Sequence, residues 1–219
     1  MPISELHRQV AAVALAATAG HGFALAGGNA LIAHGITDRY TEDVDLFTDQ
    51  EDGVAEAGAA VEAALARAGY AAERQDKGSG LADIFGGYEP EGLAEWIITA
   101  PGGEQMLLQL AYFGRSVTPV IMDVGPVLGI EDVLGHKVSA LITRAAERDY
   151  IDVAAALGRG WSVDQLIRLA RRLDPGVLDY IGDPARRLDV LDDEAFAVFG
   201  LSPEGIAELR ARFAAWPRS

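Results

Sequence analysis

The feature that most constrains this chain is the run GFALAGGNALIAHGITDRYTEDVDLFTD at residues 22–49. Phe23–Ala26 reads as a short apolar strand, Gly27-Gly28 as a turn and Asn29–His34 as the start of a helix. A second strand follows at Asp43-Val44-Asp45-Leu46-Phe47, where acidic and apolar residues alternate. Successive side chains on a strand take opposite faces, so Asp43 and Asp45 share one face and Val44 and Leu46 the other. Two carboxylates so placed repel each other, and a hard cation bound through oxygen cancels that cost. The competing reading is a pair of solvated charges on an edge strand.

Gly27-Gly28 is a weak signal alone, because turns use glycine constantly. Its functional reading is that bare Cα atoms let a phosphate approach backbone N–H groups at the start of a helix. Asp-x-Asp fifteen residues beyond Gly28 strengthens it. Triphosphate on the turn and metal on the carboxylates is the logic of phosphoryl or nucleotidyl transfer.

The remaining pattern gives a helix over 4–19 with Ser4 as N-cap and another over 54–68 ending at Gly69. Strands are expected near 70–75, 81–86, 94–100 and 106–113, the last two forming a hairpin across Pro101-Gly102-Gly103. A final strand at 120–125 is expected to stop at Pro126. From Ile130 the periodicity is helical, near 130–146, 148–157, 163–173 and 203–215. The expected architecture is α/β: a half at 1–126 built on a small mixed sheet, then a helical half at 127–219.

Half of the 219 residues are apolar, ample for a core, and the net charge is −15. That charge excludes a generic nucleic-acid coat, which needs a basic surface to release counterions. The balance is uneven: residues 1–136 carry 6 basic and 20 acidic side chains, residues 137–219 carry 12 and 13. A polyanion would therefore be gripped by the second half, with Arg168, Arg171 and Arg172 on one helix as the candidate patch and a solvated helix face as the alternative. Cysteine is absent, which excludes disulfides, thiolate metal sites and a cysteine nucleophile. The first 20 residues lack signal-peptide features, and the longest apolar run, Val10–Ala17, is too short to span a bilayer, so a cytoplasmic protein without membrane partners is expected.

A second cluster lies in HKVSALITRAAERDYIDVAAAL. Lys137 and Arg144 are two helical turns apart on one face, and Arg148, Asp149 and Asp152 open the next segment with both carboxylates on one face. The bland reading is an exposed helix with ordinary ion pairs. Lys137 is one of only two lysines beside sixteen arginines, the other being Lys77. His34 reads as a helix-end polar contact, His136 as an outward-facing side chain, and Trp96, Trp161 and Trp216 as packing anchors.

The 22–49 run resembles the first motif of the AbiEii/AbiGii nucleotidyltransferase toxins, which include the MenT toxins of mycobacteria. The Lys137…Arg144…Arg148-Asp149-x-x-Asp152 run resembles their downstream motifs. The resemblance implies a nucleotidyltransferase fold, NTP and Mg2+, and transfer of nucleotides to RNA, with the tRNA 3′ end as acceptor in characterised mycobacterial members. It further implies that Asp43 and Asp45 hold metal and that Gly27, Gly28, Asn29 and Thr41 line the nucleotide site. Arg39, Lys137 and Arg148 then meet phosphates, Asp152 or Asp149 positions the acceptor hydroxyl, and Arg144 joins the RNA patch. A cognate antitoxin is an implied partner, and phosphorylation of Thr41 an implied control.

The match departs at one place. The superfamily commonly carries a third carboxylate on a strand beside Asp-x-Asp, where this chain offers Gln109, which binds no metal as an anion. Asp149 or Asp152 is expected to fill that role. Two other functions stay open: transfer to a cationic small molecule, as in aminoglycoside nucleotidyltransferases, and a degenerate module that binds without catalysing.

Overall fold

The structure is a computed structural model that describes residues 3–75 and 92–218. Lys77 and the strand expected near 81–86 lie outside the described residues. The chain divides into two compact units, Met1–Gly129 and Ile130–Ser219.

In the first unit the elements run α1 (Glu5–Ala17), β1 (Ala24–Leu25), α2 (Gly27–Ala33), β2 (Asp43–Thr48), α3 (Gly53–Arg67), β3 (Ala71–Arg74), β4 (Leu93–Thr99), β5 (Gln105–Tyr112), β6 (Val120–Met122) and β7 (Gly125–Val127). Ser4 caps α1 by accepting the His7 N–H at 3.2 Å. Among the described residues, seven strands form one mixed sheet in the order β3-β4-β5-β2-β1-β7-β6. β2 runs parallel to β5 and antiparallel to β1, so it lies inside the sheet and not at its edge. Its alternation holds: Val44, Leu46 and Thr48 are buried, whereas Asp43, Asp45 and Phe47 are half-exposed. α1 packs on α3 and on β2, and Val10 and Ala14 of α1 and Val61 and Leu65 of α3 are buried. Burying each Val or Leu of that layer is worth about 1.5–3 kcal/mol.

Pro126 does not end the last strand. Val120–Met122 and Gly125–Val127 form a hairpin, and Val127 pairs with Leu25 of β1. Met122 and Gly125 close the two-residue turn, so Pro126 falls at the next position, where an antiparallel ladder requires no N–H bond to the partner.

The second unit contains α4 (Ile130–Thr143), α5 (Glu147–Gly158), α6 (Val163–Leu173), α7 (Asp183–Leu188), α8 (Glu194–Ala197) and α9 (Pro203–Arg212). Its core joins Val138 and Leu141 of α4, Tyr150 and Val153 of α5, Leu166 of α6, Phe196 of α8, and Phe213 and Trp216 beyond α9. α4 and α6 pack so closely at Gly135 that an added Cβ would stand 2.7 Å from Leu173 Cδ1. The helix expected over 130–146 ends at Thr143 because Ala145 takes the left-handed conformation, φ 52°, and reverses the chain. Among the described residues no helix is long and apolar enough to cross a membrane.

Candidate active site

Gly27 and Gly28, expected as a turn ahead of a helix starting at Asn29, are instead the first two residues of α2, and the segment is fastened to β2 at two points. Ala26 N–H donates to the Asp45 carbonyl at 2.8 Å, and Asn29 Nδ2 donates to the Asp43 carbonyl at 2.7 Å. Gly27 has φ +59°, and a Cβ there would lie 1.7 Å from Asp45 Oδ2. The Asp45 carboxylate therefore occupies the space that any side chain at 27 would need. A Cβ on Gly28 would lie 3.0 Å from Thr41 Oγ1 and 3.3 Å from an Arg39 guanidinium nitrogen. Gly27, Gly28, Asn29, Arg39, Thr41, Asp43 and Asp45 thus come together, as their spacing suggests. Thr41 is buried, with Oγ1 3.5 Å from the Asp43 carbonyl.

These residues fit a divalent cation. Asp43 and Asp45 present two half-exposed carboxylates on one face. Asn29, 1% exposed, keeps Oδ1 buried without a hydrogen-bond partner among the described residues, an orphaned acceptor beside the strand that carries both acids. Among the described residues no group of three or more His, Cys, Asp and Glu side chains forms a protein cage. Two carboxylates suit a magnesium-type site, which completes its shell with water and substrate phosphate oxygens.

Gln109 lies directly opposite Asp45 in the β2–β5 register, and Glu95 of β4 lies directly opposite Gln109. Partners in register share a face, so Asp45, Gln109 and Glu95 form a row across three strands. Gln109 Nε2 donates to Glu95 Oε1 at 2.5 Å, and both side chains are buried. Sequence reasoning missed Glu95. The available signal was a glutamate flanked by Ala94 and Trp96 in an otherwise apolar strand.

His7 is a second residue missed. It is buried in α1, its ring 6.0 Å from that of Tyr40, and burial holds its pKa below the ordinary histidine value, with the Asp43 charge opposing. A cavity of about 540 Å³ is lined by Ser4, His7, Tyr40, Tyr70 and Gln105 but by neither β2 carboxylate. It is not the site described above. His34 does make a polar contact at a helix end, its Nε2 lying 2.8 Å from the Leu128 carbonyl oxygen.

The second unit sorts its charged cluster into two pairs. Lys137 Nζ lies 2.8 Å from Asp152 Oδ2, with Asp152 fully buried. Arg144 grips Asp149 through Nε at 2.7 Å and Nη2 at 2.8 Å, and the Ala146 N–H donates to the same carboxylate. Asp149 thereby braces the turn from α4 into α5, with Arg148 partly exposed beside it. Arg168, Arg171 and Arg172 all lie exposed on α6, whose Leu166, Leu169 and Ala170 face the core.

The sequence profile described as "Nucleotidyl transferase AbiEii toxin, Type IV TA system" matches residues 10–197. The chain belongs to the AbiEii nucleotidyl transferase toxin family. The AbiEii match takes in Gly27 and Gly28, both β2 carboxylates and the Lys137–Asp152 pair. No curated protein matches the sequence. Among solved structures, the fold is similar to that of MenT4, a nucleotidyltransferase toxin of Mycobacterium tuberculosis H37Rv, with a TM-score of 0.64 at 12% identity over 95% of this chain and 82% of that one. JHP933 from Helicobacter pylori superposes with a TM-score of 0.58 at 14% identity over 96% and 91% of the two chains. At such identities the likeness is one of fold, and it extends along nearly the whole AbiEii chain.

Proposed function

We propose that this AbiEii-family protein transfers nucleotides from an NTP to RNA, with the tRNA 3′ end as acceptor, in a reaction that depends on Mg2+. The observation that carries the reading is the seat of Asp45 over the bare Cα of Gly27, which brings the carboxylate pair against the first residue of α2. Asp43 and Asp45 would hold a divalent cation, which would supply Lewis-acid chemistry to the triphosphate and to the acceptor hydroxyl. The acceptor hydroxyl oxygen bonds to the α-phosphorus, pyrophosphate leaves, and the hydroxyl proton passes to solvent. Arg39 offsets the charge on the leaving pyrophosphate. Asp152 positions Lys137, Asp149 holds Arg144, and Arg148 is a further phosphate contact. The exposed arginines of α6 grip the RNA backbone. Phosphate on Thr41 would put about −1.5 to −2 charge beside the Gly28 backbone and repel the triphosphate. A protein acting on such substrates works in the cytoplasm, where a cognate antitoxin protein is its expected partner.

One observation favours a second reading, transfer to a cationic small molecule: residues 1–136 carry 20 acidic against 6 basic side chains, a charge that attracts cations and repels RNA. The deciding experiment offers each labelled NTP, with Mg2+, to total tRNA and separately to an aminoglycoside panel. Label on tRNA supports the proposal, label on an aminoglycoside replaces it with the second reading, and label on neither leaves a binding module.

A further inference from the structure

Glu95 sits in the middle of a buried strand, 6% exposed, between Ala94 and Trp96. A carboxylate at that depth costs free energy unless hydrogen bonds replace its water. One partner there is Gln109, itself 7% exposed, and the bond between them is short at 2.5 Å. An apolar pair in register would fill the same space without the penalty, so packing alone does not account for the choice.

The register gives the pair a direction. Gln109 stands between Asp45 on one side and Glu95 on the other. Adjacent strands are about 4.8 Å apart, which puts Glu95 roughly two spacings from Asp45 with the Gln109 amide in the gap. An amide has two unlike ends: Nε2 only donates and Oε1 only accepts. Glu95 Oε1 accepts from the Nε2 end, and that bond sets the orientation of the amide. Oε1 is then the end left for the Asp45 side of the row. Glutamine carbonyl oxygens are ordinary ligands of hard cations.

We propose that Gln109 Oε1 is the third protein oxygen of the cation site, and that Glu95 is the positioning residue that fixes it there through Nε2. The proposal rests on the assignment of Asp43 and Asp45 as metal ligands. It gives this chain a neutral ligand where a third acid is common, with the negative charge kept one strand further away.

The test is Mn2+ binding by the full-length protein without nucleotide, read from the free-ion electron paramagnetic resonance signal, with a thermal melt of each variant. Glu95→Gln removes the anchor and Gln109→Met removes the oxygen while keeping the Glu95 charge. Each is expected to weaken Mn2+ binding about 10-fold or more, the scale of an outer hydrogen bond to a ligand. The exchange Glu95→Gln with Gln109→Glu preserves the pair and moves the acid beside Asp45. It is expected to bind Mn2+ at least as tightly as wild type, and it decides the matter if either single variant fails to fold. Asp45→Asn is the control and is expected to abolish binding. If Glu95→Gln or Gln109→Met binds within about two-fold of wild type while Asp45→Asn does not bind, the inference falls and the carboxylate assignment stands. An exchange variant that binds more weakly than wild type overturns the inference too. Unchanged binding in Asp45→Asn overturns both.

Discussion

Lys137 and Asp152 face each other at 2.8 Å across α4 and α5, with the Asp152 side chain fully buried and the Lys137 side chain only 12% exposed. Removing Lys137 takes an adjacent cation away from a fully buried carboxylate. Lys137→Met should therefore cost about 3–5 kcal/mol, and Lys137→Met with Asp152→Leu should regain most of it. Urea denaturation of the single and double variants measures this. A double variant no more stable than the single one would mean that the pair contributes by something other than mutual neutralisation.

Gly27 makes a sharper prediction about the site. Gly27→Ala places Cβ where Asp45 Oδ2 now lies and strains a backbone at φ +59°. Transfer should fall about a hundredfold or more, as for Asp43→Ala and Asp45→Ala, whose folds should be unimpaired. Rates are to be compared at saturating NTP and magnesium. Wild-type turnover in either aspartate variant would sink the assignment.

Arg168, Arg171 and Arg172 are exposed together on α6. Reversing all three to Glu should weaken RNA binding and flatten its dependence on salt, by about 0.7–0.9 in log–log slope for each phosphate no longer engaged. NTP affinity should barely move. An unchanged slope would place the RNA grip elsewhere.

Thr41 lies close against Gly28, its Oγ1 3.0 Å from where a Cβ would stand. Thr41→Glu should slow transfer below the rates of Thr41→Ala and Thr41→Val, because charge is the variable. Equal rates in Thr41→Glu and wild type would show that charge at this position does not gate the site.

His7 gives the fold a pH dependence. Burial lowers its folded pKa, and the Asp43 charge offsets only part of this. The unfolded chain therefore takes up the proton first, at about pH 6.5. The stability that neutral His7 contributes is present above that value and is lost as pH falls through the folded pKa. Melting temperatures between pH 8 and pH 5 should decline less for His7→Gln than for wild type. Parallel curves would remove His7 from the account.

The parts of this fold legible in the sequence are those with one buried face. Asp43–Thr48 alternates because Val44, Leu46 and Thr48 are buried and the residues between them are not, and Ser4, the Pro101-Gly102-Gly103 turn and the α6 stripe announce themselves by local chemistry. Glu95 escaped notice because β4 carries buried residues on both faces, at Ala94, Glu95 and Trp96, so alternation says nothing about which side matters. Pro126 misled because its meaning depends on register, which composition does not contain. Ala145 was hidden because a left-handed turn is usually signalled by glycine, and here an alanine takes it, its N–H donating to the Ala140 carbonyl at 3.3 Å. The short helices between residues 183 and 197 have too few turns to show a period.

The hydrogen bond from Gln109 to Glu95 also has an evolutionary consequence. Glutamate and glutamine codons differ by a single base, so exchanging the two residues takes only two mutations. If Gln109→Glu comes first, two acids are left in buried contact 2.5 Å apart, each disfavouring the other's charge. If Glu95→Gln comes first, two amides are left with neither orientation enforced. Either route crosses a poorer protein before the exchanged pair is reached.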